Sequence, residues 1–217
     1  MPFRMAVFCA YFKGRERDME AEAYNSSVTR NQFFFYEVRT VAGLMCDGMG
    51  DAQIMDLVKR ENLFQFPTER SLERICRDCI ARIRCVGDRE LTETIAHASF
   101  EPAKQAALYA YLSYSRLLYE FWLRIGEKYE AGDDSFSKAD IRNFFSDLET
   151  HSPQVRGWSE ETKKKILSVI LHTMTETGYL DTPSSNRLNA IWLYDEVRAV
   201  MERRGEDRLF SAFQARR

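Results

Sequence analysis

Apolar residues recur along this chain every three to four positions, the period of an amphipathic helix, and alternating Val/Ile/Thr runs that would build strands are nearly absent. The pattern predicts an all-α protein. Thr29 with Gln32 has the spacing of a capping box ahead of NQFFFYEVRTVAGLM, which predicts a helix from about residue 30 to Cys46, stopped at Asp47–Gly48. Asp51 is placed to cap AQIMDLVKREN, and Pro67 marks the approach to a helix over Thr68–Val86 that Gly87 ends. Asp88 is placed to cap RELTETIAHA. From Ala103 to Tyr129, behind Pro102, alanines, leucines and aromatics cover nearly the whole circumference, which predicts one long central helix.

The polar stretch EAGDDSF (residues 130–136) is the candidate boundary between an N-terminal helical bundle, 25–130, and a C-terminal helical domain, 131–217. In the second part, Ser137 with Asp140 starts a short helix, KADIRNFFSDLET. HSPQVRGW reads as a turn, and Ser159 starts a longer helix that ends at Gly178. NAIWLYDEVRAVMERR reads as a last helix or a short strand leading into one. Residues 1–24 read as a poorly specified leader. Its apolar run, Met5–Phe12, is too short to span a bilayer and lacks a small-residue cleavage site, and Met19 offers an alternative start.

Wound at 100° per residue, Thr68–Val86 separates two faces. Arg70, Arg74, Arg77 and Arg84 share a stripe roughly 80° wide, with Arg82 near its edge, while Leu72, Ile75, Cys79, Ile83 and Val86 lie opposite. A line of permanent guanidinium forks suits backbone phosphates. The competing possibility is that Glu69, Glu73 and Asp78 neutralise these arginines on an ordinary solvated face. A second basic cluster, Lys163, Lys164 and Lys165, opens the 159–177 helix. A short helix, a Pro/Gly turn and a longer helix with polar residues near its start outline a helix-turn-helix or winged-helix element; a plain αα-hairpin with a solvated lysine face has the same outline.

With 31 basic and 33 acidic residues, net charge is −2, so any polyanion binding must come from local patches. The five cysteines, at irregular spacing, do not form a secreted disulfide framework, and a cytoplasmic setting follows. Cys76-Arg-Asp-Cys79 with Cys85 lacks a fourth zinc ligand at a usable spacing, so these read as buried structural thiols, with a zinc or redox protein as the alternative. No phosphate-loop, dinucleotide, nucleophile-elbow or HExxH motif occurs, and no residue is nominated as catalytic or as a cofactor ligand. The expected protein is not an enzyme.

Four segments in order resemble one family: TRNQFFFYEVRTVAGLM, ENLFQFPTERSLERICRDCIARI, AALYAYLSYSRLLYEFW and WSEETKKKILSVILHTMTETGYLD. Over about residues 26–182 the chain resembles BrxA, an accessory protein of BREX bacteriophage-exclusion systems. The resemblance implies an all-helical protein with a bundle similar to the antitermination factor NusB. It also implies double-stranded DNA binding and other BREX proteins as partners. The Arg70–Arg84 stripe matches an Arg-rich helix of that family. Two functions follow as expectations: a DNA-binding component that grips phosphates with little sequence preference, or a protein-interaction adaptor in the same defence complex. No membrane and no small-molecule substrate are expected.

Overall fold

The computed structural model describes residues 24–213. The leader expected over residues 1–24 lies outside them, Tyr24 excepted. Among the described residues the regular structure is helical, with one isolated antiparallel bridge, Ser135 to Arg187. No helix among them is long and apolar enough to cross a membrane.

A 3₁₀ turn (Ser26–Thr29) leads into α1 (Phe35–Cys46), α2 (Asp51–Glu61), α3 (Glu69–Val86), α4 (Arg89–His97), α5 (Phe100–Tyr114) and α6 (Arg116–Glu130). Then come α7 (Lys138–His151), the single turn α8 (Pro153–Arg156), α9 (Glu160–Glu176), α10 (Asp195–Arg203), a second 3₁₀ turn (Asp207–Leu209) and α11 (Phe210–Phe213). Caps form as expected at Asp88, Ser137 and Ser159, and also at Thr68, which the sequence put inside its helix; in each a side-chain oxygen accepts from a backbone amide of the first turn. Gly87 closes α3 with φ +65°, a conformation that costs a Cβ-free residue little.

Several element boundaries differ from the sequence expectation: HSPQVRGW, expected as a turn, holds the helical turn α8, and the helix expected from Ala103 begins at Phe100. The first helix begins at Phe35 rather than near residue 30, because the carbonyls of residues 31–33 are bonded by the Arg82 side chain instead of by helical amides. Asp51 is the first residue of α2 and not its cap; Gly50 takes that place, its amide donating to the Gln53 side chain at 2.8 Å. The long central helix is two helices. Ser115 is extended (φ −127°, ψ 104°) and separates α5, buried on almost every side, from α6, which is amphipathic. The break lets α6 turn Phe121 onto Phe144 of α7 and Trp122 onto Tyr179 at ring separations of 5.4 and 5.7 Å.

α5 is the axis of the core. α1, α3, α4, α6 and α10 all pack against it. Gln105, buried within it, donates to the Trp192 carbonyl at 2.8 Å and accepts from the Tyr194 amide at 2.9 Å, which pins the segment ahead of α10. The 130–136 break is tied to the segment after α9: Leu188 donates to the Asp134 carbonyl (2.7 Å) and Phe136 to that of Asn186 (2.9 Å). The chain then returns to the first bundle, with α10 on α4 and α5 and α11 on α6. NAIWLYDEVRAVMERR is thus irregular up to Tyr194 and helical over Asp195–Arg203.

The α6–α11 contact leaves no room for a side chain at Gly126. A Cβ there would meet the Ala212 backbone nitrogen at 2.9 Å, with Leu209, Ala212 and Phe213 fully buried around the contact. Gly126→Ala is expected to destabilise the protein by about 1–3 kcal/mol, the cost of overpacking against backbone. Urea denaturation of the variant measures it.

Candidate nucleic-acid interface

α3 is the helix the sequence singled out, and its apolar side packs as expected: Leu72, Ile75, Cys76, Cys79, Ile83 and Val86 are buried. Burial pushes the Cys76 thiol up to about 11 and the Cys79 thiol higher still, so neither presents a thiolate near neutral pH. Cys85 is half-buried and donates to the Ser113 carbonyl at 3.2 Å. No group of His, Cys, Asp and Glu that could hold a metal ion occurs among the described residues.

The four arginines of the stripe, with Arg82 expected near its edge, divide into four kinds. Arg82 is a correction: it is not at the edge of the surface but has 0% of its area exposed. Its guanidinium donates to the carbonyls of Phe33 (2.6 Å), Gln32 (2.6 Å) and Asn31 (3.0 Å), lies 3.9 Å from the centre of the Tyr111 ring and sits 2.5 Å from Asp78. The helical wheel put it near the margin, but the irregular segment 31–34 closes over that margin and its carbonyls take both terminal nitrogens of the fork, while Nε has no hydrogen-bond partner among the described residues. Asp78 is equally buried, and desolvation raises its carboxyl above the usual range despite the neighbouring Arg82 charge. Arg84 is exposed but paired with Asp51 at 2.7 Å.

Arg70 and Arg77 are exposed and form no ion pair with another described residue. The reason lies in α2. Lys59 takes Glu69 (2.5 Å) and Glu73 (2.7 Å), the carboxylates that could have neutralised them, while Asp78 is turned inward to Arg82. Arg74 is half-buried. One of its terminal nitrogens donates to the Asn31 side chain at 2.9 Å and to the Arg30 carbonyl. That contact brings Arg30, exposed and in no ion pair among the described residues, alongside the α3 face. No local spacing could have nominated Arg30, because a long-range contact puts it there.

The lysine cluster also divides. Lys163 is held by Glu149 (2.5 Å) and Glu160 (2.8 Å), and Lys165 pairs with Glu161 at 2.7 Å. Lys164 is exposed without an ion pair among the described residues. α9 packs against the 3₁₀ turn at Ser26–Thr29, so the segment that brings Arg30 to α3 also touches the lysine-bearing helix.

The family model for BrxA matches residues 22–205, most of the chain. The chain belongs to the BrxA family. Among curated relatives, the BREX protein BrxA of Bacillus cereus (strain H3081.97) is 28% identical over 170 residues, covering 78% of this chain and 84% of that protein. The BREX protein BrxA of Escherichia coli O9:H4 (strain HS) is 22% identical, covering 83% and 85%. A crystal structure of an uncharacterized protein from Magnetospirillum magneticum superposes with a TM-score of 0.75 at 20% identity, covering 90% of this chain and all of that one. The BrxA-family fold is therefore shared by the solved protein.

The two classes of arginine separate by measurement. Arg82→Ala is expected to cost about 3–5 kcal/mol, because Asp78 is left as a buried uncompensated charge. Arg77→Ala is expected to stay within about 0.5 kcal/mol of the parent. Chemical denaturation of the two variants checks both.

Proposed function

We propose that the protein is a non-enzymatic, cytoplasmic DNA-binding component of a BREX phage-defence system. Arg70, Arg74 and Arg77 hold backbone phosphates of a duplex, with Arg30 beside them. The observation that supports this most is the diversion of Glu69 and Glu73 to Lys59, which leaves Arg70 and Arg77 exposed and outside any ion pair among the described residues on a protein whose net charge is −2. Phosphate contacts fix position without reading bases, so sequence preference is weak. α7, α8 and α9, followed by the backbone pairing of 134–136 with 186–188, support a winged-helix-like second contact through Lys164. The family resemblance supports reading the first bundle as NusB-like. The names of the curated relatives support the BREX assignment.

Five neutralised phosphates, at Arg30, Arg70, Arg74, Arg77 and Lys164, give a fall of log K against log[salt] with a slope of about −4.5 on duplex DNA. Arg70/Arg74/Arg77→Glu together are expected to abolish the gel shift while the helical circular-dichroism signal persists. Lys164→Glu weakens binding, and Lys163→Ala, at a residue already held by two acids, leaves it unchanged. Undiminished affinity in the triple variant overturns the assignment.

The pairing of Arg84, Lys163 and Lys165 with acids leaves a smaller cationic area than the sequence suggested, and this favours a second reading. In it, Arg70 and Arg77 meet an acidic surface of another defence protein. Partner retention from nuclease-treated extract that depends on these arginines identifies the adaptor.

A further inference from the structure

Residues 29–34 carry two incompatible instructions. Thr29 and Gln32 have the spacing of a capping box that would start a helix at Arg30 and run it into α1. In such a helix the carbonyls of Asn31, Gln32 and Phe33 would accept from the amides of Phe35, Tyr36 and Glu37. The observed backbone gives those three carbonyls to Arg82 and turns Phe34 to φ +52°, a left-handed conformation that L side chains with a Cβ disfavour. The docked arrangement also keeps Asp78 at 4% exposure, with no well-aligned hydrogen bond to either carboxylate oxygen. Beside the segment lies a polar cavity of about 70 Å³ lined by Asn31, Asp78, Tyr111 and Arg116, room into which side chains can shift. A local preference for helix is thus overridden by one buried side chain.

We propose that residues 24–34 form a strap with two positions, and that Arg82 is the positioning residue that selects between them. Docked, the strap meets Arg74 of α3, packs on α9 and holds Arg30 beside Arg74. Released, its last residues extend α1 by about one turn, the Arg74–Arg30 contact is lost, and the turn at Ser26–Thr29 leaves α9. A polyanion that touches Arg30 only in the docked form draws the equilibrium toward it. This consequence rests on the nucleic-acid reading above; the existence of the two positions does not.

Two substitutions at one residue bias the strap in opposite directions. Phe34→Gly and Phe34→Ala lose the same ring, including its edge contact with Phe66. Glycine tolerates φ +52° and is a poor helix former, whereas alanine is the best helix former and tolerates that φ badly. Hydrogen exchange of the full-length variants, read at the amides of Phe35, Tyr36 and Glu37, is expected to be about tenfold slower in Phe34→Ala than in Phe34→Gly, because a helix supplies those amides with acceptors. In gel shifts with a 30-base-pair duplex, the salt slope of Phe34→Ala is expected to be smaller by about one, the loss of a single phosphate contact. Equal exchange in the two variants overturns the two-position strap. Slower exchange with equal salt slopes overturns the link to Arg30. Absence of duplex binding by the parent protein overturns the nucleic-acid reading and the strap's proposed role, with the exchange comparison still deciding whether two positions exist.

Discussion

The fold depends on a cation with nowhere else to go. Arg82 is fully buried, and a guanidinium in that setting is tolerable only if its terminal donors are taken and its charge is met. Asp78, one turn earlier on the same helix, supplies the charge, and the carbonyls of residues 31–33 supply acceptors. Tyr111, on the central helix α5, offers its ring face to the cation and its hydroxyl to the Asn31 carbonyl at 2.6 Å. One side chain therefore joins three pieces of chain: the segment before α1, the helix α3 and the core axis α5. The position of Arg30 and the half-burial of Arg74 follow from where that segment is held.

The same logic decides which cations face solvent. Charge on this surface is nearly balanced, so an arginine's character depends on which acids reach it. Lys59, projecting from α2, collects two carboxylates of α3 and so uncovers Arg70 and Arg77. Asp51 at the start of α2 does the reverse for Arg84. The cationic face is a product of the packing of α2 on α3 and could not be drawn from α3 alone.

This sets how far the sequence could be read. Periodicity, caps and stop residues are local, and they placed most helices and their ends: α3 between Thr68 and Gly87, α4 behind Asp88, α7 behind Ser137 and α9 behind Ser159. The failures share a cause. The start of α1 was misplaced because a residue 50 positions away competes for its carbonyls. The split at Ser115 was invisible because apolar residues run unbroken through it, and only the packing of α6 on α7 and α11 requires the turn. Arg82 was placed on the wrong side for the same reason as α1. A helical wheel describes one cylinder and says nothing of a second chain laid across it. Local and tertiary preferences disagree most strongly at residues 29–34, and such disagreement is where function and strain tend to be found.

The seating of residues 209–213 has a consequence for biogenesis. Leu209, Ala212 and Phe213 complete a core whose other walls, around α6 and Tyr179, are made much earlier; the Tyr179 hydroxyl donates to the Ala212 carbonyl at 2.8 Å. A ribosome delivers those walls first. Until residues 209–213 emerge from the exit tunnel, Gly126 and Tyr179 lack the segment that covers them, and the nascent chain presents an apolar cleft at α6.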